Sequence, residues 1–236
     1  MSAAFVFGVA GLLLHGQSLL GEVHSATGLQ FTIAVAVSLI GLQLALIALL
    51  GAVEASLRGM SAGLLALAAI TSTATVIAPA SGSGAQLTWQ IQAHILISMF
   101  AYGLLTVGAI VAVYALIQDR RLRTGHLAVA NHLFAPLETT EKMLFGVAAS
   151  GFAVLLLAVV SGFAFVDNLF AQHLVHKTAL SLLALALFGI LLTGRRFAGW
   201  RGRRAVFLYL WGFFILCLAY FGSRFVLEEI LGRSWG

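Results

Sequence analysis

Seven stretches of this 236-residue chain are each long and apolar enough to cross a lipid bilayer as a helix, and they leave little sequence for anything else. A hydrocarbon core about 30 Å thick takes about 20 helical residues, and every backbone polar group inside it must find an internal partner. The runs lie near 3–20, 29–51, 60–79, 90–117, 142–166, 175–194 and 205–226. They are continuous rather than alternating, which excludes a transmembrane β-barrel. Hydrophobic residues make up 61% of the chain and charged residues 9%, against about a quarter charged in a soluble domain, so no separate soluble domain fits. The expected fold is all-α: one integral membrane domain over 1–236, a polytopic bundle of about seven transmembrane helices with short connections.

Basic residues set the expected orientation. Arg58, Arg120, Arg121, Arg123, Lys142, Arg195, Arg196, Arg201, Arg203 and Arg204 fall in alternate loops, and the opposite loops hold only Lys177, Arg224 and Arg233. The first set is expected in the cytoplasm, which puts the N-terminus inside, the C-terminus outside, and loops 21–28, 80–89 and 167–174 on the outer face. The net charge of +5 is this bias and implies no nucleic-acid partner. The first run has no basic leader and contains His15, Gln17 and Ser18, so it reads as a retained span rather than a signal peptide. Cys217 is the only cysteine and lies inside the last run, which excludes a disulfide framework, a CxxC redox pair and covalent haem attachment.

No nucleotide-binding glycine loop, nucleophile elbow or zinc-protease HExxH is present, and no acid–base pair suggests an enzyme. The polar residues that remain are mostly histidines. His15, His24, His94, His173 and His176 gather at the expected outer face, and His126 and His132 belong to the other side. Ionisable groups in or beside the bilayer are costly and tend to mark a site. Gln90, His94, Ser98 and Tyr102 recur every four residues and form one slowly drifting stripe expected to face the bundle interior. Two readings stay open for it: a hydrogen-bonded seam between helices, or an axial haem ligand at His94 with Gln90 or Ser98 orienting the imidazole.

His173 and His176 are three residues apart before the sixth run, and only one need reach a metal. Lys177 and Arg224 are cations that could pair with a haem propionate or snorkel to headgroups. Trp89, with Phe163, Phe165 and Phe170, could wall a porphyrin, although Trp89 also suits an interfacial aromatic belt. In the fifth span, Gly146 and Ser150 form a small-xxx-small pair, and Gly151, Gly162, Gly189, Gly212 and Gly222 also suit close helix approach. Thr139 or Thr140 is expected to cap the fifth span, and 118–141 to form an interfacial helix with a turn at Pro136.

The words QAHILISMFAYG (Gln92–Gly103), FAQHLVHKT (Phe170–Thr178), GWRGRR (Gly199–Arg204) and LAYFGSRFVLE (Leu218–Glu228), in this order, resemble the cytochrome c assembly protein superfamily of integral membrane haem handlers (CcsA and CcmC type), most closely its YpjD and HemX-like branch. The resemblance covers about the last two thirds of the chain, and members of the branch begin with one more helix. It implies an inner-membrane bundle that binds non-covalent, b-type haem at its outer face between histidines at helix ends. Carried over, His94 corresponds to the first outer-side haem histidine, His176 or His173 to its partner, and His15 to a membrane-embedded histidine. The tryptophan-rich outer loop of the haem-presenting members has no counterpart, and Ser223-Arg224 stands where they carry a further histidine. Haem binding is therefore expected ahead of haem display to apocytochrome. Lipid is the certain partner class, and other membrane subunits or cytochrome maturation proteins are the further ones. Two other classes remain: a non-catalytic subunit or assembly factor of a larger complex, with structural histidines, and a bis-histidine electron-transfer protein. Imidazole ligates iron only when neutral, so haem binding is expected to weaken as pH falls through about 6.5.

Overall fold

The structure, a computed structural model, describes residues 2–25, 28–29, 32–53, 57–77, 87–123, 137–165 and 175–222. It is helical, as expected. In chain order the elements are α1 (Ser2–Val23), a two-residue pair of strands β1 (His24–Ser25) and β2 (Gly28–Leu29), α2 (Ile33–Ala52), α3 (Arg58–Ser72), α4 (Ala74–Ile77), α5 (Trp89–Arg123), α6 (Leu137–Phe165), α7 (Val175–Ala198) and α8 (Gly202–Cys217), which runs into a π-helical turn, Leu218–Gly222. Seven of these segments are long and apolar enough to cross a membrane, with α3 and α4 together making the third and α8 with its π turn the seventh.

The bundle is built around α5, which packs on α6, α8 and α2, while α7 joins α6 to α8 and α3 backs onto α2. Leu44, Leu105, Phe188 and Tyr209 are fully enclosed at its centre. Here lipid replaces water, so the association rests on close packing and interhelical hydrogen bonds rather than on removing apolar surface from solvent. Both are visible. The Tyr209 hydroxyl of α8 donates to the Leu105 carbonyl of α5 at 2.9 Å, where Gly108 leaves room for the phenol ring. Gln43 of α2 donates through Nε2 to the Met99 carbonyl of α5 at 3.1 Å. By contrast α1 is peripheral, touching the bundle mainly through α2, and most of its surface is exposed.

Several boundaries differ from expectation for local reasons. The helix α5 has 35 residues, about 52 Å at 1.5 Å per residue, so it carries Arg120, Arg121 and Arg123 well past a 30 Å core. Residues 118–123, expected in a separate interfacial helix, simply continue it. The rest of that connection, with His126, His132 and Pro136, lies outside the described residues. The fifth span starts at Leu137, so Thr139 and Thr140 fall inside its first turn instead of capping it. Thr140 donates to Gln118 Oε1 at 3.1 Å in a buried pair joining α6 to α5. Gly146 and Ser150 also depart from expectation: both face outward, nothing lies within 4 Å of a Cβ at Gly146, and the Ser150 hydroxyl returns to its own helix. Of the other glycines expected at contacts, Gly151 meets Leu105, Gly162 meets His94, Gly212 meets Phe188 and Gly189 meets Phe152 at ordinary contact distance, whereas Gly222 meets only Leu218 of its own turn.

Candidate functional site

His94 lies five residues inside the start of α5, about 7 Å along the axis, and its half-buried ring points at α6. Its Nδ1 is 2.9 Å from Ser161 Oγ. The Ser161 hydroxyl oxygen also lies 2.8 Å from the Ala158 carbonyl of the same helix, a second partner for its proton. A hydroxyl carries one proton, and a neutral imidazole protonates one nitrogen. With the hydroxyl directed to Ala158, Nδ1 carries the imidazole proton and donates to Ser161 while Nε2 keeps its lone pair; the other tautomer reverses the His94–Ser161 bond. The former is the outer hydrogen bond that typically fixes a metal-binding imidazole.

Gly162 completes the seat. A Cβ there would stand 3.1 Å from His94 Cε1, 3.6 Å from Nδ1 and 3.8 Å from Nε2, so the edge of the ring holding both nitrogens lies against a position that has no side chain. The Ser161-Gly162 pair thus supplies an acceptor and a gap on one turn of α6. The expected orienting groups do other things. Ser98 donates to the His94 carbonyl at 2.7 Å, within its own helix, as serine one turn along a helix commonly does. Gln90, also half-buried at the start of α5, makes no hydrogen bond to the His94 ring among the described residues.

Around His94 the structure gathers part of the anticipated set. Trp89 and Phe165 face each other with ring centroids 6.2 Å apart at the open end of α5 and α6, whereas Phe163 is exposed. The Lys177 ammonium of α7 sits 5.1 Å from the centroid of Tyr220 in the π turn. Tyr220 in turn lies 5.7 Å from Tyr102, whose hydroxyl donates to the Leu216 carbonyl at 2.8 Å where α8 gives way to the π turn. One imidazole, one cation and several aromatic rings from four helices therefore converge at this end.

Other candidates stand apart. His176 is exposed near the start of α7, and no contact joins it to His94 among the described residues. His15 is held elsewhere, with Nε2 2.8 Å from the buried Ser38 hydroxyl of α2. His24 takes part in the strand pair through its backbone, opposite Leu29. His173, Phe170 and Arg224 lie outside the described residues. Ser161 was not anticipated, although its signal was present: a serine beside a glycine in the apolar run VVSGF near the end of a span.

The donor set suits a haem. An imidazole can ligate haem iron through one ring nitrogen, Lys177 is a cation of the kind that pairs with a propionate, and Trp89 and Phe165, tilted 57° to each other, add apolar aromatic surface at this end. Among the described residues no three His, Cys, Asp or Glu side chains converge as a cage for a bare metal ion would need.

The chain is 36% identical over 137 residues to an Escherichia coli K12 protein described as inner membrane protein YpjD, a stretch covering 58% of this chain and 52% of that one. It is 32% identical over 157 residues to an uncharacterized 28.8 kDa protein in the nifR3-like 5' region of Azospirillum brasilense, covering 66% and 58% respectively. The match spans about half the length of these curated relatives. No solved structure matches the chain. The family described as cytochrome C assembly protein matches residues 3–231, nearly the whole sequence, and the chain belongs to that family.

Proposed function

We propose that this protein binds haem non-covalently at the His94 end of the bundle and handles it for the assembly of haem proteins. The observation that carries this reading is the hydrogen bond to Ser161, which orients the His94 ring through Nδ1 rather than through Nε2. Bound haem would supply an iron with axial positions for imidazole. His94 would hold the iron, with His176 or else His173 as its expected partner and His15 in reserve. Lys177, with Arg224, neutralises the propionates, and Trp89 with Phe165 shields one edge of the porphyrin. The bundle lies in the bacterial inner membrane, as the names of its relatives suggest, with the N-terminus and the arginine-rich ends in the cytoplasm and the histidine end outside.

A second reading has one observation in its favour. The His94–Ser161 bond joins two tightly packed helices, and such a bond also serves as a plain seam in a subunit of a larger complex. Absorption spectra separate the two. The protein purified in mild detergent from haem-replete cells is expected to show a Soret band and, after dithionite, sharp α and β bands, all lost in His94→Ala. A colourless wild-type protein that takes up no added haem supports the subunit reading and ends the first.

A further inference from the structure

At the opposite end of the bundle, α7 turns into α8 through a tightly built connection rich in arginine. Gly199 and Gly202 both have positive φ, 63° and 59°, which L side chains rarely adopt. Between them, Trp200 packs over Gly194 and donates its amide to the Gly194 carbonyl at 3.1 Å. Arg195 donates to the Trp200 carbonyl at 3.2 Å. Arg201 Nε and the Gly202 amide both donate to the Glu141 carboxylate at 2.9 Å. Keeping this loop in the cytoplasm needs only positive charge; it does not need an arrangement this specific.

The arrangement sets up Arg203 and Arg204. Both are exposed, and among the described residues neither is paired with a carboxylate. They are held by aromatic rings instead: Arg204 lies 4.0 Å from the Trp200 ring and Arg203 5.8 Å from that of Phe207. Below Arg203, Phe207, Trp211, Phe214 and Leu218 are all exposed. At about 100° per residue these five positions fall within one arc of about 80°. Arg203 to Phe214 is 11 residues, about 16 Å, or one leaflet of a core about 30 Å thick. Trp211, 60% exposed, stands about 12 Å below Arg203, too deep for the interfacial belt that usually explains a lipid-facing tryptophan.

We infer that this face of α8 is a binding site for one phospholipid with an anionic headgroup. Its phosphate is held between Arg203 and Arg204, and one acyl chain lies along Phe207, Trp211 and Phe214. Charge complementarity selects the headgroup, because the guanidinium donors match phosphate oxygens and the turn supplies them with no carboxylate partner among the described residues. This site is independent of the proposed haem site.

The test is native mass spectrometry of the full chain in mixed micelles containing equal amounts of phosphatidylglycerol and phosphatidylcholine. The wild type should retain phosphatidylglycerol preferentially. Retention should fall roughly tenfold in Arg203→Gln/Arg204→Gln, recover in Arg203→Lys/Arg204→Lys, and stay near wild type in Arg120→Gln/Arg121→Gln, which removes the same charge elsewhere. Trp211→Leu/Phe214→Ala should weaken retention without abolishing the preference for phosphatidylglycerol. Equal losses in the two arginine-to-glutamine pairs, retained lipid with the composition of the micelle, or a second copy of the chain bound through α8 in place of lipid would each overturn the inference.

Discussion

At the arginine end of the bundle, Glu141 is 7% exposed and satisfied twice, by Arg201 and by the Gly202 amide, and Thr140 is satisfied by Gln118. At the histidine end, His94 uses Nδ1 on Ser161 and keeps Nε2. Both ends cross-link helices with buried polar groups. A carboxylate whose two oxygens both take donors has done its work by holding the fold, whereas an imidazole fixed by one nitrogen is also oriented by it, and the second nitrogen is left to act. In the proposed reading the same kind of hydrogen bond means structure at one end and a ligand site at the other.

That contrast breaks first at His94. Replacing it with Ala should remove essentially all haem while leaving a folded, monodisperse protein, since the site faces a partly open end of the bundle; haem-to-protein ratio and size-exclusion profile check this. Ser161→Ala should keep the ligand but free its tautomer, weakening haem binding about 10- to 100-fold, the usual effect of losing a ligand's outer hydrogen bond, as read by titration at the Soret band. Gly162→Ala places a methyl 3.1 Å from His94 Cε1, so it should displace the ring and weaken haem binding less than Ser161→Ala, with shifted α and β bands.

At the other end the expected signs reverse. Glu141→Ala removes the group that caps the first amide of α8, because Arg201 at the cap position supplies no side-chain bond of its own. It should cost about 1–2 kcal/mol, seen as a lower Tm, with unchanged haem per folded molecule. The exposed Arg201 side chain contributes little beyond that. The smallest effect belongs to Gly146→Ala, which meets nothing within 4 Å and should change stability by no more than about 0.5 kcal/mol.

Much of the fold was legible because length and apolarity define a membrane helix almost without reference to its neighbours. Helix faces were harder. Gly146 and Ser150 carry a packing pattern yet face outward, since in lipid an apolar lining marks both the interior and the exterior of a helix, and periodicity loses the contrast it has in water. His94 could be picked out as a polar residue at a helix mouth, but its partner could not: Ser161 lies 67 residues away, and Ser98, one turn along the same helix, was the nearer candidate. Similarly, Glu141 and Arg201 are 60 residues apart and meet only through the packing of α6 on α7 and α8. The word GWRGRR was recognisable, but the two left-handed glycines and the carboxylate that organise it were not.

The most direct test of the account is a haem titration of the detergent-purified protein, comparing His94→Ala with Glu141→Ala beside a thermal melt of each. The account predicts that His94→Ala loses the Soret transition and keeps its Tm, while Glu141→Ala loses several degrees and keeps its haem. Haem bound equally by both variants, with the wild-type spectrum, would contradict it.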